Sequence, residues 1–332
     1  MITISYITVT YNAEAFLQRT LDSVLCQDYP HIRHLIVDGA STDHTLAIVN
    51  DYVQRSNAAN NGHEVIVTSE PDNGIYDAMN KGLRALTPSK LQTSNLKPQT
   101  SNLKPQISYV CFLNAGDFLP TPHTVSHIVN SLQSTPLKGN HKLQTSNFKL
   151  QTSPLHPSKV IINFKLQTSN FKLQSSKFKD QTSNFKLQTS NFKDPAVLYG
   201  DTDIVDSQGR FLRHRRLAPP ERLTWRSFRH GMLVCHQAFY ARADLAVCTP
   251  YDTTFRYSAD VDWCIRIMRL AEQQRLPLFN LHAVVANYTE EGQTTLHHRD
   301  SLQERFAVMR RHYGLPLTLL MHAWFVVRAL IK

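Results

Sequence analysis

An α/β fold built on a parallel, doubly wound sheet is what this sequence predicts, and three observations predict it. Apolar runs of strand length alternate with amphipathic helical stretches as far as residue 117. Each run ends in small polar and acidic residues, at the edge where open α/β sheets bind ligands. The chain, at 332 residues, is long enough for one large domain or two small ones with a substantial core.

The elements follow in order. ISYITVTY (4–11) is a strand. AEAFLQRTLDSVLCQ (13–27) is a helix, with Phe16, Leu17, Leu21, Val24 and Leu25 at helical spacing. HIRHLIVDG (31–39) is the second strand, and STDHTLAIVNDYVQR (41–55) is a helix opened by Ser41 with Asp43 in its first turn. A side-chain oxygen there caps free N–H groups, and a negative charge suits the helix dipole. EVIVTSE (64–70) is the third strand, GIYDAMNKGLRAL (74–86) a helix and ISYVCFLNAGD (107–117) the fourth strand. Further on, AVLYG (196–200) is strand-like, and FRYSADVDWCIRIMRL (255–270) is a helix with Asp260 and Asp262 in its first turn. The stretch from Leu315 to Ile331 is apolar but interrupted by His322 and Arg328. Its length is at the lower limit for crossing a bilayer, and an interior Arg opposes crossing. It reads as a packed terminal helix or as an interfacial amphipathic one in peripheral contact with a membrane.

The formal net charge of +10 raises nucleic acid as a partner. The charge is confined, however. Residues 90–106 carry Lys90, Lys97 and Lys104 and no acid, and residues 138–194 carry ten lysines against Asp180 and Asp194. The rest of the chain is near neutral, whereas a nucleic-acid groove needs Lys and Arg interleaved with aromatics on a folded surface. No nucleic-acid partner is expected. Both segments repeat a unit close to LQTSNFK with period seven. Its Leu and Phe lie about 140° apart on a helix, and an odd period flips each repeat to the other face of a strand. Neither element buries that pattern, and the Gln, Ser, Asn and Lys content is that of irregular or disordered chain. The segments read as two inserts, each between a helix and the strand that follows it, away from a ligand site. The five cysteines (26, 111, 235, 248 and 264) show no C-x-x-C pair and read as reduced thiols of a cytoplasmic protein. The start, MITISYITVTYN, lacks the features of a secretory signal.

Polar residues gather at the carboxyl end of all four strands: Thr8, Thr10, Tyr11 and Asn12; Asp38, Gly39, Ser41 and Asp43; Glu70, Asp72, Asn73 and Gly74; Asn114, Gly116 and Asp117. One such acid is an ordinary helix cap. Four successive clusters describe a crevice lined with acceptors and, through Asp117, a hard-cation ligand. Asp201 and Asp203, in YGDTD, form a D-x-D that competes for the metal role. The sequence holds no G-x-G-x-x-G after its first strand, no P-loop, no G-x-S-x-G and no H-E-x-x-H.

The pieces VTYN, VDGAST, EPDNGIYDAMNKG, FLNAGD, YGD, MLVCHQA and ADVDW, in this order, resemble a family 2 glycosyltransferase of the GT-A type, closest to bacterial enzymes of cell-surface polysaccharide assembly. The resemblance implies a mixed, mostly parallel sheet sandwiched by helices. One domain would run over 1–314, interrupted by inserts at 90–106 and 138–194, with a terminal helix at 315–332. It implies an inverting enzyme that moves a hexose-type sugar from a nucleoside-diphosphate donor, of the UDP type, to a saccharide or lipid-linked acceptor. Thr8 and Tyr11 would lie against the base and ribose, the ring giving a stacking surface. Asp38 and Asp72 would contact the base. Asn80 and Lys81 stand where many relatives place an arginine near the diphosphate, at the position of Met79 here, and Asn114 completes the nucleotide-binding set. Asp117 is the surviving acid of the metal motif and would hold Mg²⁺ or Mn²⁺ jointly with the donor diphosphate and waters. Asp201, His236, Gln237 and Asp262 fall on the donor-sugar and acceptor side, Asp262 with the alternative of a structural partner. Asp260 would be the general base, with Ala259 replacing a frequent Glu. The thinned metal motif and Ala259 also motivate an alternative, a sugar-nucleotide-binding protein of this fold that has lost transfer.

Overall fold

The computed structural model describes residues 1–86, 107–134, 194–290 and 298–330. The segments 90–106 and 138–193, expected to be inserts, lie outside the described residues.

Strand β1 (Ile2–Thr10) is buried from Ile4 to Thr10, as its near-continuous apolar run requires of a central strand covered on both faces. It pairs in parallel with β2 (Ile32–Asp38) on one side and with β4 (Ile107–Phe112) on the other. Strand β3 (Glu64–Ser69) adds in parallel to β2 and is a partly exposed edge strand. The connecting helices are α1 (Leu17–Leu25), α2 (Thr45–Ala59) and α3 (Ile75–Ala85). Alternation along β2 shows how they divide. Ile36 packs with Leu17, Leu21, Val49 and Tyr52 of α1 and α2, whereas Leu35 and Val37 join Met79 and Leu83 of α3 on the opposite face.

The second half adds α4 (Thr124–Ser134), β5 (Val197–Val205), β6 (Phe211–His214), β7 (Phe239–Arg242), α5 (Ala243–Val247), α6 (Ala259–Gln273), β8 (Leu278–Thr289), α7 (His298–Tyr313) and α8 (Leu315–Leu330). Short β7 runs antiparallel between β4 and β5, and β8 lies parallel to β5. The strand order is β3-β2-β1-β4-β7-β5-β6, with β8 paired to β5. This is the mixed, mostly parallel sheet with flanking helices that the resemblance implied. Where the two halves meet, Trp263 of α6 is fully buried, stacks on Tyr251 at 5.0 Å and meets the edges of Phe112 and Phe239. That anchor sits one helical turn after Asp260, so it fixes where the first turn of α6 points.

Two helix starts come later than expected, for a shared reason. The backbone N–H groups of Phe16 and Leu17 both bond to the Ala13 carbonyl, so 13–16 forms a turn and α1 begins at Leu17. Ser41 does not open α2. Its N–H and hydroxyl both bond to the Asp38 carboxylate, and Asp43 accepts the Thr45 N–H instead. Short polar side chains satisfied the backbone locally before the helix could.

Candidate active site

A cleft of about 500 Å³ opens at the carboxyl ends of β1 and β4, a size that suits a small-molecule ligand. At one end, Tyr11 presents a ring that is 65% exposed, with Asp72 beside it. Gly39 makes their meeting possible. A Cβ at that position would stand 2.5 Å from Asp72 Oδ2 and 3.3 Å from Tyr11 Cδ2. The N–H of Gly74 donates to Asp72 Oδ1 at 2.8 Å, holding the acid in its loop.

The other end is a chain of polar groups drawn from distant segments. Asn114 Nδ2 lies 3.0 Å from His236 Nε2, and His236 Nδ1 lies 3.4 Å from Asp260 Oδ2. Gln237 Nε2 donates to Asp117 Oδ2 at 2.8 Å, and the Thr289 N–H reaches Asp117 Oδ1 at 3.3 Å. The turn 114–117 is tied down on two sides. Thr20 of α1 accepts the Gly116 N–H and donates to the Asp117 carbonyl, while the Thr289 hydroxyl of β8 donates to the Gly116 carbonyl. Gly116 has φ near 100°, a conformation that L side chains rarely adopt.

The two acids differ electrostatically. Burial pushes the Asp117 carboxyl up to about 6, only partly countered by the Gln237 hydrogen bond and the His236 charge. Burial also acts to raise Asp260. There it is outweighed by the hydrogen bond and charge of His236, the charge of Arg305 and the Val261 N–H at 2.9 Å, which together hold the carboxyl below its usual range. Asp260 is therefore ionised at neutral pH. Tyr76 adds a hydroxyl 3.3 Å from Asp260 Oδ1.

Helix α7 fixes the segment that carries this acid. Glu304 accepts the backbone N–H groups of Arg256, Tyr257 and Ser258 at 2.8, 2.7 and 3.0 Å, immediately before α6 begins. Two residues past Asp260, the fully buried Asp262 accepts from Arg266 at 2.6 Å and meets His312 Nε2 at 2.8 Å.

Of the residues expected at the site, the structure brings Tyr11, Asp72, Asn114, Asp117, His236, Gln237 and Asp260 to this cleft or directly against its lining. The other expected residues are not among those lining the cleft. Thr8 is fully buried, donating to the Leu113 carbonyl and bonded to His34, whose imidazole burial pushes down to about 3. Asp38 is also fully buried, and its oxygens accept from Ser41 and from Ser69, which ties the ends of β2 and β3 together. The Asn80 amide is spent on both backbone groups of Tyr251, at 3.0 and 2.7 Å. Lys81 pairs with Glu70 at 2.9 Å and donates to the Pro71 carbonyl, bracing the loop that carries Asp72. Asp262 pairs with Arg266 and with His312 of α7 and is not among the residues lining the cleft, which favours the structural alternative. Asp201 accepts the Thr202 N–H and Asp203 pairs with His214, so neither stands in the cleft. Sequence reasoning missed Tyr76 and Thr289, because their partners lie 184 and 172 residues away.

The donor set can be tested against a divalent cation. Asn114 Oδ1 is a buried acceptor without a hydrogen-bond partner, and Thr10 Oγ1 is a second such atom in the lining. Beside them, a buried carboxyl that burial strains toward protonation is what a cation would relieve. Among the described residues no cluster of three or more His, Cys, Asp or Glu exists to hold a metal alone. The residues fit a hard cation that takes Asp117 and Asn114 and completes its shell from a ligand and water.

Known proteins match this arrangement. Residues 5–141 match the model of the family described as "Glycosyl transferase family 2". A protein of Mycobacterium tuberculosis named "PGL/p-HBAD biosynthesis glycosyltransferase" is 25% identical over 289 residues, covering 87% of this chain and 77% of that protein. Among solved structures, S. aureus TarS in complex with UDP-GlcNAc superposes with a TM-score of 0.53 at 15% identity, over 93% of this chain and 64% of that one. In a longer TarS structure the chain spans 38% of the length. The mannosyltransferase PcManGT from Pyrobaculum calidifontis, in complex with GDP-Man and Mn²⁺, gives a TM-score of 0.50 at 15% identity, over 96% and 68% of the two chains. The chain thus resembles glycosyl transferase family 2 over residues 5–141, and it has the GT-A fold.

Proposed function

We propose that this protein transfers a hexose-type sugar, with inversion, from a UDP-type donor to a saccharide or lipid-linked acceptor in polysaccharide biosynthesis. One observation carries the reading. Asp117, an acid suited to a cation, and Asp260, an acid suited to a base, converge on one cleft through Asn114 and His236. The UDP-GlcNAc complex of TarS and the Mn²⁺ complex of PcManGT support the donor class and the cation.

The steps follow from the residues. Tyr11 stacks on the base and Asp72 accepts a hydrogen bond from it. A Mg²⁺ or Mn²⁺ ion, when bound, supplies Lewis-acid neutralisation of the departing diphosphate, and Asp117 and Asn114 would hold it. Asp260 removes the proton from the acceptor hydroxyl as that oxygen attacks the anomeric carbon from the face opposite the diphosphate. The bond from carbon to diphosphate oxygen breaks, and UDP leaves with the electron pair. One carboxylate acting on the incoming oxygen is sufficient for inversion, without a sugar–enzyme intermediate. His236 is a positioning residue. Asn114 orients one ring nitrogen, and the other favours the ionised form of Asp260.

The test is UDP release from UDP-glucose and UDP-N-acetylglucosamine, with and without Mn²⁺, for the native chain and for Asp260→Asn. Cation-dependent release that the variant loses while still binding UDP supports the proposal. Equal release by the two proteins would refute it.

A further inference from the structure

Helix α8 is turned the wrong way for a packed terminal helix. Its outward positions recur every three to four residues along its full length: Leu315, Pro316, Leu319, Leu320, Ala323, Trp324, Val326 and Val327. None of them is polar. Leu320 is 65% exposed, Val326 60% and Trp324 51%. The inward face mixes Thr318, His322 and Arg328 with Leu317, Met321 and Phe325. Thr318 is fully buried with its hydroxyl on the Gly314 carbonyl, and half-buried His322 meets the ring of Phe306. Among the described residues nothing covers this wholly apolar outward stripe, which marks it as a contact surface.

Charge beside this stripe indicates what that surface is. From Arg305 to the end, the sequence carries Arg305, Arg310, Arg311, Arg328 and Lys332 and no acid. Helix α8 packs against the turn Trp225–His230, which closes a stretch (210–230) holding seven arginines and one acid, Glu221. Arg328 lies over the Phe325 ring, and burial, with the charges of Arg229 and Arg328, holds the His230 imidazole below its usual range. Among the described residues no helix is long and apolar enough to cross a membrane, and at about 1.5 Å per residue α8 is some 24 Å long.

We infer that the outward face of α8 lies in the surface of an anionic lipid bilayer, with Leu319, Leu320, Trp324 and Val327 in the acyl boundary and Arg229 and Arg328 on lipid phosphates. Tryptophan at the boundary and arginine at the headgroups is the division of labour such helices use. A second copy of the chain fits less well, because a two-fold interface sets the same patch against itself and would oppose the basic cluster to its own image. The inference is independent of the transfer reaction and holds whether or not the cleft turns over a sugar nucleotide.

The full chain would be floated with vesicles of phosphatidylcholine alone and of equimolar phosphatidylcholine and phosphatidylglycerol, at low and high salt, and its mass in solution measured by light scattering. The expected result is flotation with the phosphatidylglycerol vesicles only, weakened by salt. The double variant Leu320→Glu/Trp324→Glu should lower partitioning at least about tenfold. Arg229→Gln and Arg328→Gln should each lower it roughly fivefold. Leu320 and Trp324 face outward, so the melting temperature of the double variant should stay put. Should a variant melt early, the lipid and salt dependence of the unaltered chain decides alone. Flotation with neither vesicle, equal flotation with both, or a dimer that Leu320→Glu dissociates would overturn the inference.

Discussion

Asp117→Asn separates the stability of this fold from its chemistry. Burial lifts the Asp117 carboxyl from 3.8 to about 6, so at neutral pH the unliganded protein holds a carboxylate that its surroundings disfavour. At 1.36 kcal/mol per tenfold change in proton affinity, holding it ionised costs on the order of 3 kcal/mol. An asparagine keeps the shape and the Gln237 hydrogen bond. It has one acceptor where the carboxylate has two, so the contact to the Thr289 N–H is lost, at about 1 kcal/mol. The variant should therefore be more stable by about 2 kcal/mol above pH 6, a rise in melting temperature of roughly 4–8 °C. The pH dependence has a fixed sign. The folded state binds this proton more tightly than the unfolded one, so the native chain is favoured below the unfolded value of 3.8 and loses stability as pH rises through about 6. The advantage of the variant should thus be absent near pH 4, grow to pH 6 and level off above. The assay is thermal denaturation without nucleotide or cation across that range, followed by the same scan with UDP and Mn²⁺. The native chain should gain stability from the pair and the variant should not. A variant that melts below the native protein at pH 8, or by the same margin at every pH, would refute the reasoning.

Three further outcomes are expected. Asp260→Asn should lower turnover by about 10²- to 10⁴-fold while UDP affinity, measured by calorimetry, is unchanged; with His236→Ala, the acid limb of the rate profile should move toward neutral pH, because burial then acts on Asp260 without its main counterweight. Gly39→Ala should push Asp72 out of place through the 2.5 Å contact, weakening UDP binding about tenfold in the same calorimetric experiment with little change in melting temperature, since the contact falls on the free end of a side chain. Asp262→Ala leaves His312 and Arg266 without their buried counter-ion, and a loss of about 3–5 kcal/mol should show as a melting temperature lower by on the order of 10 °C.

The strands of the first half, and the fact that their carboxyl ends form a cleft, were legible because both follow from short-range pattern: continuous apolar runs, then Gly and Asp where the chain turns. The roles of individual polar residues were less legible. Thr8, Asp38 and Asn80 have the side chains a nucleotide would want, and they stand at strand ends or a helix face near the cleft. Whether such a group faces a ligand or the interior depends on what stands opposite. Here that is His34 with Leu113, Ser41 with Ser69, and the backbone of Tyr251, most of it remote in the chain. Tyr11 and Asp72 reach the cleft because Gly39 leaves them room, and a glycine that follows an acid resembles any turn. Asp262 illustrates the converse. Helical geometry alone separates it from Asp260, and the alternative of a structural partner is the one the ion pairs favour.

The grip of α7 on the loop before α6 bears on how much polypeptide the chemistry needs. On the proposed reading, holding a nucleotide draws on β1 to β4 and their loops, with Gln237 and Thr289 holding Asp117 from the second half. The proposed deprotonation of an acceptor draws on Asp260, with the backbone before it held by Glu304 and the Asp262 side chain after it held by His312. On that reading, a shortened version of this protein that stops ahead of residue 298 would keep the whole lining of the cleft while its proposed base loses the hold of α7.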